Sequence, residues 1–192
     1  MLRSVFENQD DLLKEMVGFY SSGRVELDPT YGSGCFYKRT GLVLALYGDL
    51  KLPGKHNMDA RKLPFPDSSR TSIMFDPPFI PGASPKKTGI INNRFGWFRT
   101  IKDVWEMYGK SLAEFYRIMK PGAVLYFKCQ DTCNCGKQWW SHVWSINKAQ
   151  EIGFQLEDLF ILVAKSRLTD PRWKTQRHAR KFHSYFLVFR KP

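Results

Sequence analysis

Ser72-Ile73-Met74-Phe75-Asp76-Pro77-Pro78-Phe79 is the stretch on which the reading of this chain turns. Its first four residues form an apolar run too short and too abruptly ended for a helix, so they read as a buried strand. Two successive prolines cannot continue a hydrogen-bonded ladder, and the chain must leave the sheet there in a fixed, extended direction. An acid, a rigid pair of carbonyls and an aromatic ring are thereby delivered to the carboxyl end of a strand. In open α/β sheets that is the edge where ligands bind. Taken alone, the stretch reads equally well as an ordinary turn, and its surroundings must decide.

Upstream, Arg24-Val25-Glu26-Leu27 reads as a strand that breaks at Asp28-Pro29-Thr30-Tyr31-Gly32-Ser33-Gly34. Gly32 and Gly34 allow a close approach to the main chain that side chains would block. A small molecule can lie against such a turn, and both turns would open on the same edge. Before it, the spacing of Leu12, Leu13, Met16, Val17 and Phe19 predicts a helix over Asp10 to Tyr20, closed by Ser21-Ser22-Gly23. After it come an apolar run, Leu42 to Tyr47, with room for only a stunted helix before it, and a weaker strand at His56 to Asp59.

Downstream, Pro81 to Thr100 mixes Gly, Pro, Lys and aromatics without periodicity. Loops of that length inside compact domains are usually functional or disordered. Lys102 to Met119 is the clearest helix, with Val104, Tyr108, Leu112, Phe115 and Met119 on one stripe. A strand at Ala123 to Phe127 and a helix over Lys137 to Ile152 follow. Two last strands, Leu156 to Ala164 and Tyr185 to Phe189, flank a basic loop. They have no helix between them, so antiparallel pairing at a sheet edge is expected. Strands alternating with helices elsewhere predict a mostly parallel sheet with right-handed crossovers.

A chain of 192 residues makes one domain, and 43% hydrophobic with 15% aromatic residues fits a folded one. The formal net charge of +12 points to a polyanionic partner, nucleic acid first, with a merely basic enzyme as the plainer reading. The apolar runs are too short to span a membrane, and the first residues lack a signal-peptide core. A cytoplasmic or nucleoid-associated protein is therefore expected. Cys35, Cys129, Cys133 and Cys135 then read as thiols. Zinc on the last three with His142 departs from standard spacing, so no metal is expected.

Leu27-Asp28-Pro29-Thr30-Tyr31-Gly32-Ser33-Gly34 resembles the cofactor motif of the amino-methyltransferases, and Asp76-Pro77-Pro78-Phe79 resembles their catalytic motif. Met58-Asp59-Ala60-Arg61-Lys62-Leu63-Pro64-Phe65 is similar to the segment whose acid approaches the cofactor adenine, and Arg117-Ile118-Met119-Lys120-Pro121-Gly122 to the turn before strand five. The resemblance implies a Rossmann-like class I methyltransferase fold, α/β, with a mostly parallel seven-stranded sheet, an antiparallel edge strand and helices on both faces. It implies one domain, residues 1–192, with substrate-contacting loops at 80–101 and 165–183. S-adenosylmethionine is the implied cofactor, held by Asp28, Pro29, Thr30, Gly32, Gly34, Asp49, Asp59 and Ala60. Asp76, Pro77, Pro78 and Phe79 would carry methyl transfer to the exocyclic amine of adenine or cytosine, in DNA ahead of RNA. Thr30 stands where the family usually has Phe, and Asp49, chosen as the ribose-binding acid, also reads as a turn residue.

Lys86, Lys87, Arg94, Phe95, Trp97, Phe98 and Arg99 mix cations with aromatics just after the catalytic turn, as suits a lid on a flipped base. Arg172, Lys174, Arg177, Arg180 and Lys181 form a second basic loop suited to phosphates. Lys128, Gln130 and Asp131 fall near the same edge. No extra domain is large enough for reading sequence in detail, so recognition is expected from these loops, from a second copy of the chain as a homodimer, or from a partner subunit; a lone monomer with low sequence selectivity reads equally well. A non-catalytic binding subunit is the reading from another class; the intact acid and proline pair argue against it.

Overall fold

The computed structural model describes residues 1–50, 56–81, 98–134, 136–164 and 177–192. Its strands are β1 (Val5–Phe6), β2 (Arg24–Asp28), β3 (Val43–Asp49), β4 (His56–Asn57), β5 (Arg70–Phe75), β6 (Met119–Cys129), β7 (Thr132–Asn134), β8 (Lys137–Trp139), β9 (Gln155–Val163) and β10 (His183–Arg190). The helices are α1 (Gln9–Ser21), α2 (Ile101–Ile118) and α3 (Ser141–Ile152). Asn8 caps α1 by accepting from the amides of Asp10 and Asp11. A reciprocal Thr100–Asp103 capping box starts α2.

Eight strands form the main sheet in the order β1-β9-β10-β6-β5-β2-β3-β4. All lie parallel except β10, which runs antiparallel to both β6 and β9. Two expectations are corrected here. The sheet has eight strands rather than seven, because Val5 and Phe6 add a parallel strand beyond β9. The antiparallel strand is interior, not at an edge. Phe186, Leu187, Val188 and Phe189 are all buried, so β10 is covered on both faces. A strand apolar on both faces is excluded from an edge by the water it would meet.

Period-two alternation sorts the strand residues between two cores. Val25, Met74, Val124, Tyr126, Phe186 and Val188 pack with Leu12, Leu13, Met16 and Val17 of α1. Leu27, Ile73, Phe75, Leu125, Phe127, Leu187 and Phe189 pack with α2, through residues such as Val104, Leu112 and Phe115, and with Ala149 of α3. No described helix is long and apolar enough to cross a membrane.

One helix prediction is also corrected. Lys137 to Trp139 are not the start of α3 but pair antiparallel with Thr132 to Asn134 as a small hairpin. Trp139 packs edge-on against Trp105, which stacks on Trp144 at 5.2 Å, so an aromatic anchor outweighs helix propensity there. Residues 35–40, where a stunted helix was expected, form consecutive turns. Most of the loops at 80–101 and 165–183 lies outside the described residues, and with it Lys86, Lys87, Arg94, Phe95, Trp97, Arg172 and Lys174.

Candidate active site at the carboxyl edge of the sheet

From β2 the chain steps outward through β3 to β4, then returns to the other side of β2 as β5. The crevice between β2 and β5 is thus the point where the winding reverses, the position at which such sheets bind ligands. Asp28 ends β2 and Asp76 follows β5, so the glycine turn and the proline turn face each other across it.

A direct bond joins them. The Asp76 amide donates to Thr30 Oγ1 at 2.9 Å, and the same hydroxyl donates to Asp28 Oδ1 at 3.1 Å. Thr30, in place of the expected Phe, is therefore the hinge pin between the two turns. Asp28 is only 2% exposed, and its carboxylate also accepts from the Thr30 amide at 2.8 Å and from the Tyr37 hydroxyl at 2.7 Å. Burial pushes the Asp28 carboxyl up to about 7, although these three donors oppose the rise.

The proline turn is fixed from below as well. Tyr108, fully buried on α2 among Phe75 and Phe127, donates its hydroxyl to the Pro78 carbonyl at 3.2 Å. Asp76 keeps 27% of its side chain exposed and lies 3.6 Å from the Lys128 ammonium. Burial raises the Asp76 carboxyl and Lys128 lowers it. Lys128 is held by Gln9 at 3.2 Å and by the faces of Phe36 and Phe186. Register explains the meeting: Phe75 pairs with Phe127, so the next residues on each strand are Asp76 and Lys128. Pro77 is buried, and Pro78 and Phe79 are half-buried.

On the glycine side, Asp49 at the end of β3 accepts from the Gly32 amide at 3.1 Å. Gly32 and Gly34 both have positive φ, +56° and +71°. A Cβ on Gly34 would collide with the Tyr31 hydroxyl, whose ring is stacked between Tyr37 and Tyr47. A Cβ on Gly32 would meet nothing nearer than the Thr30 carbonyl at 3.8 Å, so the main chain is uncovered there. Met58 donates its amide to the Asp49 carbonyl at 3.3 Å, which brings Asp59 and Ala60 close to Asp49. The Asp59 carboxylate is already clamped by Arg61 at 2.6 and 2.8 Å. Among the predicted nucleic-acid residues, Arg99, Arg177 and Arg180 are exposed and Lys181 is half-buried.

Tyr37, Tyr108 and Phe36 were not distinguishable in the sequence as site residues, since each reads as core or as turn filling. Cys135, weighed for zinc together with Cys129, Cys133 and His142, lies outside the described residues. Cys129 is buried in the α2 core and Cys133 is exposed. His142 Nδ1 pairs with buried Asp131 at 2.8 Å, and its ring stacks on Tyr185.

No known family model matches the sequence. No curated protein matches it either. Solved structures do. A Burkholderia thailandensis 1,6-didemethyltoxoflavin-N1-methyltransferase, solved with S-adenosylhomocysteine, superposes with a TM-score of 0.58 at 14% identity, over 96% of this chain and 79% of that one. The fold is that of the S-adenosylmethionine-dependent methyltransferases. The PvuII cytosine-N4-specific DNA methyltransferase matches with a TM-score of 0.51 at 17% identity, over 70% of this chain and 48% of that one. A candidate DNA modification methylase from Thermus thermophilus matches with a TM-score of 0.50 at 19% identity, over 70% of this chain and 52% of that one. The chain thus spans about half the length of these two DNA-methylase structures.

Proposed function

We propose that this chain transfers a methyl group from S-adenosylmethionine to the exocyclic amine of adenine or cytosine in nucleic acid, DNA ahead of RNA. The observation that carries the proposal is the Thr30 bond to the Asp76 amide, which sets a bare-backbone turn and an acid–proline turn face to face across one crevice. The charge of +12 and the methylase neighbours support a polyanionic substrate.

The residues fit the cofactor. Gly32 offers main chain without a side chain in the way, and Asp49, which accepts from the Gly32 amide, would accept from a ribose diol. Bound there, S-adenosylmethionine would supply an electrophilic methyl on a sulfonium. The remaining chemistry belongs to the chain. An exocyclic amine is a poor nucleophile because its lone pair is delocalised into the ring. Asp76 accepts one amine hydrogen and the Pro77 carbonyl a second, which draws the nitrogen toward tetrahedral geometry and frees the lone pair. Acceptors fixed in advance where positive charge develops lower the barrier electrostatically, and holding the amine in line adds a positioning term. Tyr108 and Thr30 hold this turn at both ends, so no reorganisation is needed at the moment of reaction. Phe79 stacks on the base, offsetting part of the few kcal/mol that flipping it from a duplex costs.

Incubation with labelled S-adenosylmethionine and matched DNA and RNA pools, followed by nucleoside mass spectrometry, tests the reading. A methylated adenine or cytosine is expected in the DNA pool, and its appearance only in RNA would reassign the polymer. Asp76→Ala should abolish transfer while calorimetry still shows cofactor binding; a variant that continues to methylate would refute the mechanism. Label in neither pool, with the cofactor bound, would favour a non-catalytic binding subunit.

A further inference from the structure

Beside the crevice lies a surface that catalysis does not use. From Thr132 through Gln150 and from Pro171 through Pro192 the sequence contains no Asp or Glu. The fold brings parts of these two stretches together. His178 Nε2 meets the Gly136 carbonyl in the β7–β8 hairpin at 2.7 Å, and the Lys181 ammonium sits 4.4 Å from the centre of the Trp140 ring. Arg177 and Arg180 are exposed on the same segment.

Trp140 is the unusual member. It is 47% exposed and occupies the N-cap position of α3, where its side chain makes no capping bond. Ser, Thr, Asp or Asn is the ordinary choice there. The capping acceptor comes from elsewhere: Asp131 Oδ1 takes the His142 amide at 3.2 Å. The position is thereby released from its local duty, and a large aromatic is left half exposed there, with Lys181 over its ring and His142 edge-on at 6.5 Å. Its mounting is rigid, because neighbouring Trp139 is wedged against Trp105 and the Trp105 indole donates to Ser141 at 3.1 Å. The placement is also telling. Cys129 pairs with Tyr185 just past the Phe75–Phe127 pair, so Asp131 and the start of β10 open on the same carboxyl edge as Asp76.

We infer that the hairpin, Trp140 and the Arg177–Phe182 segment together bind single-stranded nucleic acid beside the target base, with the Trp140 indole as a stacking platform. The inference rests on the nucleic-acid reading given above. Lys181 lies over one face of the half-exposed indole, and an unpaired base, whose faces a duplex does not offer, can stack on its exposed part. The surrounding cations, with no carboxylate in either stretch, suit its phosphates.

Anisotropy of a short fluorescein-labelled single-stranded DNA against the full chain, over a salt series, tests this without cofactor or transfer. Trp140→Ala should weaken binding by about five- to 150-fold, the range that one stacked base is worth. Its salt slope should stay that of the wild type, and Trp140→Phe should recover most of the affinity. Arg180→Ala should instead lower the slope by about 0.7, the value of one single-strand phosphate contact. Wild-type affinity in Trp140→Ala would overturn the inference, as would an equal loss toward duplex or toward polyglutamate, which would indicate a protein-type acidic partner. Methylation of the same oligonucleotide is read in parallel. Transfer with a silent Trp140→Ala sinks only this inference, whereas Trp140-dependent binding with no methylated base sinks only the enzymatic reading.

Discussion

Replacing Asp28 with Asn exchanges a buried titrating group for a neutral one of the same shape, and its effect should depend on pH. The Asp28 carboxyl is raised from 3.8 to about 7 in the folded chain, with burial as the main cause. A raised pKa means that the folded state holds the proton more tightly than the unfolded state. Between about pH 4 and pH 7 the folded chain therefore carries about one more proton, and stability falls by about 1.4 kcal/mol per pH unit as pH rises. Above about pH 7 the loss levels off, at about 4 kcal/mol in all. An amide removes this titration while still accepting from Thr30. Urea unfolding of the free protein should show the Asp28→Asn variant gaining about 3 kcal/mol on the wild type between pH 5 and pH 8. Parallel stability curves for the two proteins would refute the reasoning, because they would show that Asp28 is not desolvated as its contacts require.

Lys128→Met should move the acid limb of the pH–rate profile to higher pH, since the ammonium at 3.6 Å opposes the rise that burial imposes on Asp76; an unmoved limb would exclude that coupling. Thr30→Val leaves the Asp76 amide without its acceptor, at about 1–3 kcal/mol, and should lower both the melting temperature and kcat, while Thr30→Ser retains them. Gly34→Ala combines a φ of +71°, at about 1–2 kcal/mol, with a collision against Tyr31, and calorimetry should show cofactor binding lost. Adding Tyr31→Ala should restore only part of it, because the backbone strain remains.

Local rules carried the elements that depend on neighbours along the chain. Apolar period placed α1 and α2 within a residue or two, because burial stripes are set by short-range spacing. The proline pair fixed the end of β5 for the same reason. The hairpin at Thr132 to Trp139 was missed because its strands are short and its anchor, Trp105, lies on another element. The unbroken apolar run of β10 did carry a signal of an interior strand, but which strands would flank it was not encoded nearby.

The sequence by itself determined that two buried strands end in a glycine turn and a proline turn, and that the chain is strongly basic. Only the tertiary structure decided that Thr30 bonds to Asp76, that Lys128 stands beside that acid and that Tyr108 ties down Pro78. It likewise placed Asp131 as the remote cap that leaves Trp140 half exposed. Each of these contacts joins residues on different strands or helices. Their meeting is set by the order and register in which the sheet is assembled, and a residue's own surroundings in the chain say little about a partner that arrives from a strand two elements away.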